Sequence, residues 1–136
     1  MKAEELRIGN YLNYTATEHD VLLAKIDWQD LKWLTEDEKG FNLVHKPIQL
    51  TTEWLLDFGL EKEHEFYSFG RFTLWSNTEN LNDWSLRYNP QHKVPIEAYG
   101  DCCLIDAVVT IVESVKYVHQ LQNLYFSLTN KELTKT

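Results

Sequence analysis

The spacing of apolar and polar positions changes along this chain, and its most regular stretch lies near the end, "YVHQLQNLYFSLTNKEL" (117–133). With Leu121 at the centre of a helical face, Tyr117, Val118, Leu124, Tyr125 and Leu128 fall within about 60° of it at ~100° per residue. That is a full core stripe, and it predicts a helix near 116–129 packed on a sheet. Thr129 and Asn130 then leave the helix, and Leu133 can fold back. A second helical signal is "LTTEWLLDFGL" (50–60). Thr51 suits an N-cap, Glu53 the positive end of the helix dipole, and Leu50 with Leu55 a hydrophobic staple. Gly59 supplies a left-handed C′ residue from which Leu60 can fold back on Leu55. A short helix near 52–58 follows.

Elsewhere the pattern is extended. Leu6, Ile8, Tyr11, Leu12 and Tyr14 suggest a strand bent at Gly9-Asn10. "DVLLAKI" (20–26) reads as a strand, and "DWQDLKWL" as a short helix or turn. The stretch 35–40 reads as a charged loop, and "FNLVHKPIQL" as extended, because Pro47 disfavours helix at its centre. "EFYSFGRFTLW" predicts two strands turning near Phe69-Gly70, and "NTENLND" is turn-rich. "WSLRY" alternates Trp84, Leu86 and Tyr88 with Ser85 and Arg87, and Asn89-Pro90 ends it. "VPIEAY", "CCLI" and "VVTIV" each read as strands, with Pro95 placing the first at an edge. Many short strands and few helices predict an α+β fold with a mostly antiparallel sheet, as one globular domain over 1–136.

Composition changes this picture in three ways. Five Trp, seven Tyr and six Phe supply a dense core and candidate contact residues. Thirteen basic against 21 acidic residues give a net charge of −8, which disfavours passive attraction to nucleic acid or an anionic membrane and favours a basic protein partner. The only cysteines are the neighbours Cys102 and Cys103, so no disulfide framework is available and buried strand thiols are expected. Glu4 and Glu5 stand where a signal peptide needs an apolar run, and no segment approaches the ~20 apolar residues of a membrane span. A cytoplasmic protein is expected.

The back of the last helix raises a question of its own. His119, Asn123 and Phe126 form one ridge there, with Gln122 at its shoulder. Three readings stay open: a solvated face, burial against an N-terminal strand, or a partner-binding ridge of His119, Gln122, Asn123 and Phe126.

"ELRIGNYL", "IQLTTEWLLDFGLEK" and above all "YVHQLQNLYFSLTNKEL" resemble a family of small uncharacterised proteins of phages, prophages and mobile elements in Bacteroidetes-type bacteria. The resemblance covers both ends and the Thr51 helix, and is less clear between 65 and 115. Where that family usually has Gly-Glu-Glu-Leu, this chain has Asn130-Lys131-Glu132-Leu133, and Asn tolerates the same left-handed turn. The resemblance attaches no catalytic or binding role to any residue.

Chemical motifs are sparse. There is no phosphate-cradling Gly-rich loop, zinc-type Cys pairing or HExxH. "EKEHE" (61–65) gathers three carboxylates around His64 at a spacing that fits no standard metal site. No metal or cofactor is expected, and no set of nucleophile, base and orienting group can be assembled, so the chain reads as non-enzymatic. Size, acidity and the resemblance together point to an accessory protein of a phage or mobile element. It would act by binding a macromolecule, most simply a protein, with an anti-CRISPR-like inhibitor occupying the basic groove of a host defence nuclease as the sharpest form. An alternative is a small RNA- or DNA-binding module using Arg71, Trp75, Trp84 and Arg87 on a sheet face. A self-assembling structural protein of the element is a third reading.

Overall fold

The computed structural model describes residues 1–77, 80–89, 93–98, 101–106 and 108–136, with the backbone alone for 80, 81, 93–98 and 101–106. A 3₁₀ turn at Ala3–Glu5 leads to β1 (Tyr11–Thr15), β2 (Val21–Lys25), α1 (Trp28–Glu36), α2 (Glu38–Val44), β3 (His45–Lys46) and α3 (Thr52–Asp57). Then come β4 (Glu61–Glu63), β5 (Phe66–Phe69), β6 (Phe72–Asn77), β7 (Asn80–Tyr88), β8 (Lys93–Ala98), β9 (Asp101–Asp106), β10 (Val109–Val115) and α4 (Val118–Thr129). The fold is α+β, and all of its described strand pairs are antiparallel. The strand orders are β2-β1-β3, β10-β7-β6-β5-β4 and the hairpin β8-β9.

Apolar side chains gather in two clusters. The larger lies under the five-stranded sheet, where Leu74, Trp84, Leu86 and Val115 meet Leu50 and Leu55 on the α3 side and Val118 and Leu121 of α4. The smaller joins Leu6, Leu12 and Ile26 to Leu34 of α1 and Phe41 of α2. Burial of these faces is the main stabilising term for both.

The short helix α3 ends as its sequence predicts. Gly59 has φ +79°, the Leu60 N–H donates to Leu55 O at 3.1 Å and the Gly59 N–H to Leu56 O at 2.8 Å. This is a Schellman end, which satisfies carbonyls the helix would leave bare. Thr51 stands at the N-cap without a side-chain bond.

Local chemistry corrects the loop reading of 35–40 and the extended reading of 41–44. Asp27 caps α1, its Oδ1 accepting from Gln29 N at 2.8 Å and Asp30 N at 3.0 Å, while Asp30 accepts from Asp27 N. Asp37 then ends α1 and caps α2 in one step, accepting from Gly40 N at 3.0 Å. The expected loop is therefore a helix junction, and Pro47 acts only on the residue before it. β7 also begins earlier than "WSLRY", at Asn80 within the stretch read as turns.

α4 starts where expected. Gln120 Oε1 accepts from the N–H groups of Lys116 and Tyr117 (2.9 and 3.2 Å), covering bare helix donors. Val118 and Leu121 are buried, Leu124 and Tyr125 partly so, and Leu133 folds back into the core. Leu128, expected on the core stripe, lies in the last turn of α4 with about a third of its surface exposed. Pairing with β9 leaves Pro95 of β8 at an edge among the described residues. The readings made for Pro90 and for the Cys102 and Cys103 thiols lie outside the described residues.

Candidate functional site

The back of α4 is covered. His119 and Gln122 are almost fully buried, and Asn123 and Phe126 are half-buried against the N-terminal segment. This removes the free ridge as a docking surface. The physical reason is the loop leading into β1, which has main-chain groups with no strand partner and takes its partners from α4.

Gln122 provides most of them. Its Oε1 accepts from Tyr11 N at 2.9 Å and from Asn10 Nδ2 at 3.4 Å. Its Nε2 donates to Gly9 O at 3.2 Å and Leu133 O at 3.0 Å. One primary amide can make about four hydrogen bonds, and this one makes them all. Asn123 continues the row, accepting from Asn10 Nδ2 at 3.0 Å and donating to Glu5 O at 2.8 Å. Gly9, at φ +95°, makes the turn that presents its carbonyl. At the outer end the Arg7 guanidinium lies over the Phe126 ring, 3.5 Å from its centroid, and reaches Glu132 at 3.1 Å. Residues 5–11 and 122–133, near opposite ends of the sequence, thus touch each other along this seam.

His119 sits in the same seam beside a small cavity bounded by Glu5, Ser114, Gln120, Asn123 and Leu124. Its Nδ1 is buried without a hydrogen-bond partner. Burial lowers its pKa below the ordinary 6.5; Glu5 acts in the opposite direction, and the N-terminal ammonium adds to the lowering. His45 is the second buried imidazole. It stacks on Phe41 at 3.9 Å, between Tyr14 and Trp33, with Nδ1 3.2 Å from Phe41 O. Burial again lowers its pKa, against the Phe41 carbonyl and Asp30.

The expected nucleic-acid set divides between two faces of the sheet. Trp84 points inward and is 2% exposed, its Nε1 donating to Leu50 O at 3.1 Å. Register places Trp75 opposite Ser85 and Thr73 opposite Arg87, on the outer face. There Phe66 stacks on Trp75 at 4.7 Å, and the Arg87 guanidinium lies 4.8 Å from the Trp75 centroid. The Arg87 Nε and the Ser85 Oγ are buried without hydrogen bonds. Arg71 lies in the exposed β5–β6 turn, where its carbonyl accepts from Asn89 N. Of the four, only Trp75 and Arg87 come together, and Glu61 and Glu63 border their face opposite Ser68 and Phe66.

His64 adopts φ +46° in the turn after β4 and lines an open cleft with Thr52, Lys62, Glu65 and Tyr67. Among the described residues no three His, Cys, Asp or Glu side chains form a group able to hold a metal ion. No described helix is long and apolar enough to cross a membrane.

Sequence reasoning missed the exposed apolar groups of residues 21–43. Val21, Leu22, Leu23, Trp28 and Leu43 are each about half exposed or more. Three consecutive apolar residues in a short strand, which by alternation show both faces, were the available signal. Comparison with known proteins finds no matching family model, no matching curated protein and no matching solved structure.

Proposed function

We propose that the protein works by binding another macromolecule rather than by catalysis. In this reading it is an accessory factor of a phage or mobile element in a bacterial cytoplasm. Its target is a host protein with a basic nucleic-acid groove, a defence nuclease of the RNA-guided type in the sharpest form. The observation that carries the reading is the α1–α2 helix pair. Trp28 and Leu43 are 61% and 75% exposed there, on helices whose carboxylates Asp30, Glu36 and Glu38 outnumber Lys32 and Lys39, with Lys32 lying 3.8 Å from Glu36. Exposed apolar groups among carboxylates suit a basic, partly apolar protein surface. The net charge of −8 would steer such an encounter.

The test is inhibition of target-DNA cleavage by RNA-guided nucleases of the host. The expected result is inhibition of cleavage that is relieved by added salt and by the double change Glu36→Lys, Glu38→Lys. Undiminished cleavage at saturating protein, or inhibition indifferent to the charge reversal, overturns the reading.

A second reading keeps one supporting observation, the Phe66–Trp75–Arg87 stack on the outer sheet face, on which a nucleobase could continue. Binding of single-stranded RNA or DNA that collapses steeply with salt and is lost in Trp75→Ala would favour it. The carboxylates bordering that face weigh against it.

A further inference from the structure

β2 ends the three-stranded sheet, and its open edge is unusually well prepared for another strand. The phase of its main chain follows from two bonds, Ala16 N to Asp20 O at 3.1 Å and Ile26 N to Asn10 O at 2.8 Å. In an antiparallel ladder this makes Tyr14–Leu22 and Leu12–Ala24 the hydrogen-bonded pairs. Val21, Leu23 and Lys25 therefore direct N–H and C=O away from β1, toward the open side. The side chains match that availability. Val21 and Leu23 lie on one face and Leu22 on the other, 61%, 49% and 56% exposed. An edge that is apolar on both faces, with its polar backbone unpaired among the described residues, is a template for strand addition.

We propose that a second copy of this chain occupies that edge, pairing β2 antiparallel with β2 across a two-fold axis at Leu23. The register is self-complementary. Leu23 faces Leu23 of the second copy, Val21 faces Lys25, and Leu22 faces Ala24, so each outward donor and acceptor of the five-residue strand meets a mate. Beyond the strand ends, Asp20 falls opposite Ile26 and His19 opposite Asp27. No like charges stand directly across from one another. The other edge of the sheet, β3, is two residues long, with His45 buried. It offers no equivalent site, so the association closes at two copies instead of growing into a filament. The dimer leaves Trp28 and Leu43 outside the strand pair and stands independently of the proposed function.

The experiment is sedimentation equilibrium of the full chain across the micromolar range, with hydrogen exchange on the same samples. A concentration-dependent doubling of mass is expected, with the Val21, Leu23 and Lys25 amides slowing as the dimer fills. Because each copy carries −8, added salt should strengthen the dimer, opposite in sign to docking on a basic groove. Leu23→Pro removes only an outward N–H, which an edge strand tolerates, and should weaken association at least about tenfold with the fold retained. Leu23→Asp supplies a second variant that leaves the backbone unchanged and is expected to act likewise. A single-chain mass at every concentration overturns the proposal, whether or not the edge then accepts a foreign strand. So does a dimer that persists in both variants once circular dichroism has shown them folded.

Discussion

The two sides of the small N-terminal sheet invert the usual relation between residue type and exposure. On the side toward α4, amides and an imidazole resemble a contact surface and are covered, Gln122 and His119 almost completely. On the side of β2, three aliphatic residues resemble core and are open. The difference lies in where main-chain hydrogen bonds end. The residues before β1 have no strand neighbour toward α4, and Gln122 supplies side-chain partners in place of a ladder. β2 has a neighbour on one side only, and nothing among the described residues supplies the other. A buried polar group with all its bonds made is structural, whereas an apolar strand with bonds to spare is available for pairing.

The largest expected effect is on the closed side. Gln122→Ala removes four hydrogen bonds and leaves the Tyr11 N–H and the Gly9 and Leu133 carbonyls without them. Each such buried loss costs about 1–3 kcal/mol, so a fall of ~3 kcal/mol or more in urea unfolding is expected. Gln122→Glu should be nearly as harmful, because a carboxylate cannot donate to those two carbonyls. A loss below about 1 kcal/mol would mean that water replaces the amide and that the contrast between the two sides is weaker than drawn.

On the β2 side, cost should fall on helix capping and not on the exposed strand. Asp27→Ala deletes the acceptor for Gln29 N and Asp30 N and should cost about 1 kcal/mol. Leu23→Thr, at an exposed strand position, should change monomer stability by less than ~0.5 kcal/mol. Thermal unfolding of the two variants side by side sharpens the comparison. A Leu23→Thr loss equal to that of Asp27→Ala would place Leu23 in the core after all.

The gentlest effect is a slope. His119 and His45 both have pKa values lowered by burial, so below pH 6.5 the unfolded chain binds more protons than the folded one. Stability should therefore decline as pH falls from 6.5 toward the lowered values, and level off beneath them. Replacing His119 with Gln should flatten part of that decline in urea titrations at successive pH values. An unchanged slope would assign the whole effect to His45 or to carboxylates.

Legibility in the sequence tracked the range of the interactions responsible. The end of α3 is readable because Leu60 bonds back to Leu55 and Gly59 to Leu56, all within a few residues. α2 was hidden because Asp37 serves two helices at once, and Pro47 drew the extended reading too far upstream. Alternation in "WSLRY" separated Trp84 from Arg87, but placing Trp75 with Arg87 required the β6–β7 register, which no local pattern contains. For the back of α4 the sequence leaves three readings open, because the partners of Gln122, Asn10 and Tyr11, stand more than a hundred residues away.

That separation bears on how the molecule is made. During synthesis Gly9, Asn10 and Tyr11 emerge early, but the glutamine that satisfies them is added 111 to 113 positions later. Until α4 clears the ribosome, the first strands exist with one flank wet and the other an apolar edge. The nascent chain therefore passes through an interval in which these first strands are exposed to chaperones and proteases, and it ends only when α4 emerges and its amide docks on them.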